Sequence, residues 1–194
     1  MHLLLASRNP HKTREFQELL GKEFLINDLN SLPEIKIASE TGATFVENAT
    51  LKAVSASKHH DSFTIADDSG LEVDVLRGAP GIYSARYAGQ HATDRENVDT
   101  LLSALSNVSN RSARFRCVIA LARNGKLIET FAGDAEGKIV DPPRGINGFG
   151  YDPVFQPNGF EQTFAEMAAE LKNRISHRAK TIAALRDALR EIQN

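Results

Sequence analysis

Residues Ala113 to Arg123 alternate apolar and polar side chains, Asn124-Gly125 follows, and the chain returns through Lys126 to Ala135. Period-two alternation marks a half-buried strand. An Asn-Gly pair between two such runs favours a type I′ turn, because both central residues must take positive φ. This long hairpin constrains the fold more than any other feature, since no purely parallel sheet can contain it. Phe115, Cys117, Ile119 and Leu121 fall on one face of it, which makes the single cysteine a core residue.

The rest of the chain supplies helices and strands in alternation. Leu3-Leu4-Leu5-Ala6 reads as a short buried strand, followed by the polar loop Ser7 to His11. A helix runs from about Lys12 to Leu20 with Gly21 as its stop, and a second strand lies near Leu25 to Leu29. Thr44-Phe45-Val46-Glu47 is a capping box that opens a helix to about His59. Phe63 to Ala66 and Leu71 to Leu76 read as two strands separated by an Asp-Asp-Ser-Gly turn. Gly78 to Gly81 is a turn, and Thr93 to Glu96 caps a helix to about Leu105. Thr163 to Glu166 reads as a third capping box on a shorter helix. Ser176 caps a last helix whose stripe is Ala179, Ile182, Leu185, Leu189 and Ile192. The expected class is α/β: a mixed sheet flanked by helices, in a single domain over 1–194.

Composition removes several classes of function. A net charge of −2 gives no overall basic field for nucleic acid. The apolar runs are too short to span a bilayer, and Met1 to Ala6 meets Ser7-Arg8-Asn9 too early for a secretory leader. One cysteine excludes an intramolecular disulfide and a cysteine-cluster metal site. A cytoplasmic location is expected.

Four segments can carry chemistry. Ala66-Asp67-Asp68-Ser69-Gly70-Leu71 places two adjacent carboxylates at a strand end, where neighbouring side chains point to opposite faces. One can aim at a ligand while the other braces the backbone. Such carboxylates suit a hard divalent cation, a water-activating base, or both; a solvated Asp-rich turn is the ordinary alternative. Glu40 and Glu47 complete an acidic set, although Glu47 has a capping task. Ser7-Arg8-Asn9-Pro10-His11-Lys12 leads into a helix N-terminus, whose free N–H groups and dipole suit phosphate. It is not a Walker loop, and Ser7 or Asn9 can serve simply as a cap. Gly148-Phe149-Gly150-Tyr151-Asp152-Pro153 presents a ring that a flat base can approach, and such stacking contributes roughly 1–3 kcal/mol. Lys172 with Ser176-His177-Arg178 can hold phosphate or a base carbonyl. Together these describe a nucleoside triphosphate site.

Taken in order, the segments resemble the inosine triphosphate pyrophosphatase (Ham1-like) family. The resemblance rests on Ala6 to Lys12, Glu40 to Ala49, Ile65 to Leu71, Gly78 to Tyr87, Phe149 to Pro153 and Ser176 to Arg178. Ser7-Arg8 departs from the Thr-Gly of many members, and the Val108 to Arg111 connection is short. The resemblance implies an elongated mixed sheet, two lobes with a central cleft, and a homodimer. It implies hydrolysis of ITP, dITP and XTP to the monophosphate and pyrophosphate, with Mg²⁺ held by Glu40 and Asp68 and a metal-bound water attacking the α-phosphorus. Asp68 would also activate that water. Ser7, Arg8, Asn9, Pro10, His11, Lys12 and Ser69 would meet the substrate. Phe149 would stack on the base, Gly150, Tyr151 and Asp152 would line its edge, and Lys172, His177 and Arg178 would complete the site. Arg178 is the first donor expected at the purine six-position.

Three other functions fit parts of this set. A diphosphatase for modified pyrimidine nucleotides differs in substrate. A phosphomonoesterase would release orthophosphate, but no Asp-x-Asp pair beside a strand supports it. A nucleotide-binding regulatory module would not need a water-activating carboxylate.

Overall fold

In the computed structural model, residues 1–36 and 38–193 are described. Their strands are β1 His2–Leu5, β2 Leu25–Asp28, β3 Phe63–Val73, β4 Ser112–Arg123, β5 Lys126–Ile139 and β6 Phe155–Pro157. The α-helices are α1 Pro10–Leu20, α2 Phe45–Ala56, α3 Asp94–Ala104, α4 Ala169–Ile175 and α5 His177–Gln193. The strands form one six-stranded sheet in the order β2-β1-β3-β4-β5-β6. β1 pairs in parallel with β2 and β3, whereas β6 is antiparallel to β5, so the sheet is mixed as the hairpin requires. Asn124 and Gly125 both take positive φ, 51° and 73°, as a type I′ turn demands.

The chain forms two compact units. The first comprises Met1–Asp68, Cys117–Gly133 and the chain from Arg178 onward. Its core joins Leu3 and Leu5 of β1, Ile65 of β3 and Cys117, Ile119 and Leu121 of β4 to Phe16 and Leu20 of α1 and Ile182, Leu185 and Leu189 of α5. Leu3, Leu4 and Leu5 are all buried because β1 has a strand on each side and parallel strands bury both faces. The expected apolar stripe of α5 ends at Leu189, and Ile192 is 43% exposed. α2 stops at Ala56, short of His59. There the Ser57 hydroxyl donates to the Val54 carbonyl and accepts from the Gly125 N–H, which ties the helix end to the hairpin turn.

The second unit comprises Ser69–Arg116 and Asp134–His177. Val98, Leu101 and Leu105 pack there on Leu71, Val73, Phe115 and Ile139, with Phe155, Phe164 and Met167 closing the cluster. The rings of Phe115 and Phe155 meet edge-on with centroids 4.7 Å apart. Thr93 and Glu96 make the expected reciprocal capping box on α3.

Two expectations are corrected. The segment Phe63 to Val73 is one continuous strand, so Asp67-Asp68-Ser69-Gly70 is not a turn. The carboxylates stay in the strand because buried Lys52 and Arg178 and half-buried Lys12 meet them, and they need not turn out to water for solvation. Thr163 to Glu166 makes only half of a capping box, the Thr163 N–H donating to Glu166 Oε2 while its hydroxyl donates to the Arg144 carbonyl, and it opens no helix; α4 begins at Ala169. The backbone there is already committed. The Ala165 carbonyl accepts from the Ile146 and Asn147 N–H groups, and the Ala165 N–H donates to the Asp152 carbonyl.

Candidate active site

The first unit gathers the charged residues. Asn9 is the N-cap of α1, with its Oδ1 accepting from the His11 N–H at 2.9 Å and the Lys12 N–H at 3.4 Å, and Pro10 begins the first turn. Ser7 Oγ accepts from the Asn9 N–H. These bonds fix the start of α1 and send the Lys12 side chain to Asp67, 2.8 Å away. Arg8 goes elsewhere: its guanidinium donates to the carbonyls of Leu29, Pro33 and Ile35 and so holds the 29–35 loop. His11 is exposed.

Asp67 and Asp68 divide the labour that their adjacency on a strand suggests. Asp67 is buried and bonds Lys12 through Oδ1 and Arg178 Nη2 through Oδ2, the latter at 3.1 Å. Arg178 also meets Glu15. Burial alone would raise the Asp67 pKa, but Lys12, Arg178 and Lys52 outweigh it and hold the carboxyl far below the usual range. Asp68 points to a different cation. Its Oδ1 lies 3.0 Å from Lys52 Nζ, which also lies 2.8 Å from Glu40 Oε1. Burial pushes the Asp68 pKa up, and the Glu40 charge adds to this against the pull of Lys52. Asp68 Oδ2 is buried and finds no hydrogen-bond partner among the described residues.

Glu40 reaches this place through its loop. The Gly42 N–H donates to Asn48 Oδ1 and the Ala43 N–H to Glu47 Oε2. A Cβ on Gly42 would lie 2.6 Å from the Glu47 Cβ, so only glycine lets the loop lie this close to α2. Glu47 is thereby occupied at the helix start, which leaves Glu40 as the carboxylate beside Asp68.

Two carboxylates of this kind suit Mg²⁺ rather than a softer metal. Mg²⁺ keeps several waters and binds through one or two carboxylates together with substrate phosphates. Among the described residues no group of three or more His, Cys, Asp or Glu could form an all-protein metal cage. The buried Asp68 Oδ2, without a hydrogen-bond partner among the described residues, is an oxygen that could bind such an ion. Cys117 is no competitor, because burial pushes its thiol up to about 12.

The second unit holds the loop expected to meet a base. The Phe149 N–H donates to Asp152 Oδ2, which also lies 2.8 Å from Lys172 Nζ. Lys172 Nζ sits 5.3 Å from the Phe149 ring centroid, within cation–π range. The Gly150 N–H donates to Asp94 Oδ2, and the Tyr151 hydroxyl donates to the Ser84 carbonyl. Gly150, Tyr151 and Asp152 are thus held by Asp94, Ser84 and Lys172, and Phe149 by Asp152 within the loop. His177 stacks on Phe115 at 4.7 Å, and Ser69 is half-buried at the first position of this unit. Gly148 has φ of 75°, and a Cβ there would lie 2.0 Å from Asp152 Oδ2. Gly148→Ala is therefore expected to lower unfolding free energy by at least ~1–2 kcal/mol from backbone strain. It should also release the Phe149 N–H to hydrogen exchange; unchanged protection would show that Asp152 is not what holds this loop.

A family model described as the Ham1 family matches residues 3–188. The chain belongs to the Ham1 family. This Ham1 chain is 44% identical over 189 residues to a protein of Shouchella clausii named dITP/XTP pyrophosphatase, covering 96% of each. A protein of the same name from Desulfotalea psychrophila is 48% identical, over 95% of this chain and 83% of that one. The solved structure of a HAM1 protein from Coxiella burnetii superposes with a TM-score of 0.89 at 43% identity, covering 98% of this chain and 99% of that one.

Sequence reasoning missed four residues that hold the candidate side chains in place: Glu15, Lys52, Ser84 and Asp94. Lys52 left a readable signal. On α2 it lies four residues after Asn48 and three after Ala49, inside a buried stripe that includes Phe45, Ala53 and Ala56. A lysine in an apolar stripe must have a charged partner.

Proposed function

We propose that the chain is a nucleoside triphosphate pyrophosphatase that hydrolyses dITP, ITP and XTP to the monophosphate and pyrophosphate. The near-full-length similarity to proteins named dITP/XTP pyrophosphatase supports this reading. In the site itself the reading rests on Asp68, a buried carboxylate with one unpartnered oxygen beside Glu40.

The whole chain then acts as one catalytic domain. Asn9 and the start of α1, with Lys12, take the triphosphate; Ser7, Pro10, His11 and Ser69 add contacts, while Arg8 supports the loop beside them. Glu40 and Asp68 hold Mg²⁺, which supplies neutralisation of the triphosphate charge. Asp68 accepts a proton from the attacking water, a task suited to a carboxylate whose pKa is raised by burial. The water oxygen bonds to the α-phosphorus, the bond from that phosphorus to the bridging oxygen breaks, and pyrophosphate leaves with the bonding electrons. Lys12 shares the charge of the leaving group.

The base falls to Phe149 by stacking and to Gly150, Tyr151, Asp152, Lys172 and His177 along its edge. Arg178 serves the purine six-position, and its ion pairs with Glu15 and Asp67 fix the guanidinium plane for this. A six-keto oxygen accepts from such a donor, whereas the amino group of adenine leaves it unpaired, at a cost of ~1–3 kcal/mol. No helix among the described residues is long and apolar enough to cross a membrane. A single buried, unpaired cysteine suits a reducing compartment, and the chain is proposed to work in the cytoplasm, as the homodimer that its resemblance to the family implies.

The deciding assay follows ITP, XTP, ATP and GTP with Mg²⁺ and measures pyrophosphate and orthophosphate separately. The expected result is pyrophosphate from ITP and XTP and little product from ATP and GTP. Orthophosphate as the first product would place cleavage at another phosphorus and overturn the mechanism.

A further inference from the structure

The two carboxylates proposed to hold the metal already hold a cation. Lys52 Nζ lies 2.8 Å from Glu40 Oε1 and 3.0 Å from Asp68 Oδ1, which joins a loop and a strand through one ammonium. The lysine arrives from the buried stripe of α2, and its side chain is only 7% exposed. A divalent ion bound to the same oxygens would have to sit at ~2.0–2.1 Å from them. An ammonium at hydrogen-bond distance from both oxygens stands in its way, by space and by charge.

We propose that Lys52 is a resident cation that pre-assembles Glu40 and Asp68 and competes with the divalent metal for them. This rests on the assignment of Glu40 and Asp68 as the metal ligands. Two consequences follow from elementary electrostatics. Before metal arrives, Lys52 offsets two carboxylates that would otherwise repel each other at close range. When metal arrives, it must displace Lys52 or bind first through Asp68 Oδ2, which Lys52 leaves open. The flexible four-carbon stem lets Nζ withdraw without moving α2. The free protein therefore holds the metal weakly.

The test uses Mn²⁺ as the probe on the metal-stripped full chain, with binding read by the loss of free-ion electron paramagnetic resonance signal and by calorimetry. Lys52→Met is expected to bind Mn²⁺ about tenfold or more tightly than the wild type, the size of effect that removing one adjacent unit charge produces. Its melting temperature in chelator should fall, and Mn²⁺ should restore it more than it shifts the wild type. Lys52→Gln should show the same order if the methionine variant folds poorly. Unchanged or weaker Mn²⁺ binding in both variants would overturn the proposal. Asp68→Asn and Glu40→Gln in the wild-type background separate the two ideas. If neither changes Mn²⁺ binding, the ligand assignment itself fails; if both weaken it while Lys52→Met does not tighten it, only the role of Lys52 fails.

Discussion

Asp68→Asn is expected to lower turnover of ITP by ~10²–10⁴-fold, the range over which a positioned general base contributes. The amide keeps the shape of the carboxyl but cannot accept a proton at neutral pH. Stability should not fall with activity. The folded pKa of Asp68 is raised, with burial the leading cause. A carboxyl whose folded pKa lies above its unfolded value loses stability as pH rises from the unfolded to the folded value and carries the full cost above it, because the fold disfavours the charge. Replacing it by a neutral amide removes that cost at neutral pH but also takes one of two carboxylates from the buried Lys52 ammonium, which keeps Glu40, so the melting temperature should stay near that of the wild type. Pyrophosphate release and a thermal melt on the same preparation decide the matter. A variant within tenfold of wild-type turnover would remove Asp68 from the proposed role. An inactive variant with a melting temperature well below wild type would show a packing role instead.

The sequence displayed the backbone plan better than the charge plan. The hairpin, the Asn9 cap and the Thr93–Glu96 box are local signals, each legible because its partner lies within a few residues, while β1 was legible from its continuous apolar run. The Asp-Asp-Ser-Gly segment misled because its local composition matches a turn. Its conformation is set by Lys12, Lys52 and Arg178, the last of them 111 residues away from Asp67. Thr163 to Glu166 misled for the same reason, since the 145–147 loop takes the backbone groups that a helix would have used. Glu40 was legible as a carboxylate without a packing task, but the choice between it and Glu47 needed the fold. The partners of Lys52, Glu15 and Asp94 were invisible, because tertiary contact brings them in. Periodicity alone reports which face a side chain occupies and not which charge it meets.

The ion pairs beneath Lys12 carry the second large effect. Arg178→Ala is expected to cost ~3–5 kcal/mol of unfolding free energy, the usual result of removing one partner from a buried pair. The loss comes from what is left behind. Asp67 would keep Lys12 but lose the guanidinium 3.1 Å from Oδ2, and Glu15 would lose the same guanidinium. The pH dependence gives this an internal check. The Asp67 pKa is held far below its unfolded value, since Lys12 and Arg178 outweigh its burial. A group depressed in this way contributes stability at pH above its unfolded value, near 3.8, and loses it progressively as pH falls below that. Wild-type urea midpoints should therefore drop steeply below about pH 4, where the unfolded chain takes up a proton that the fold refuses. Asp67→Asn lacks this group, so its acid limb should be shallower although it is less stable at neutral pH. The two changes should not add: once Arg178 is gone, neutralising Asp67 removes a buried charge that has lost one of its cations, so the double variant should be more stable than the sum of the singles predicts, by ~0.5–3 kcal/mol. Additive losses, or an acid limb that Asp67→Asn leaves unchanged, would mean that the pair does not act as one electrostatic unit beneath Lys12.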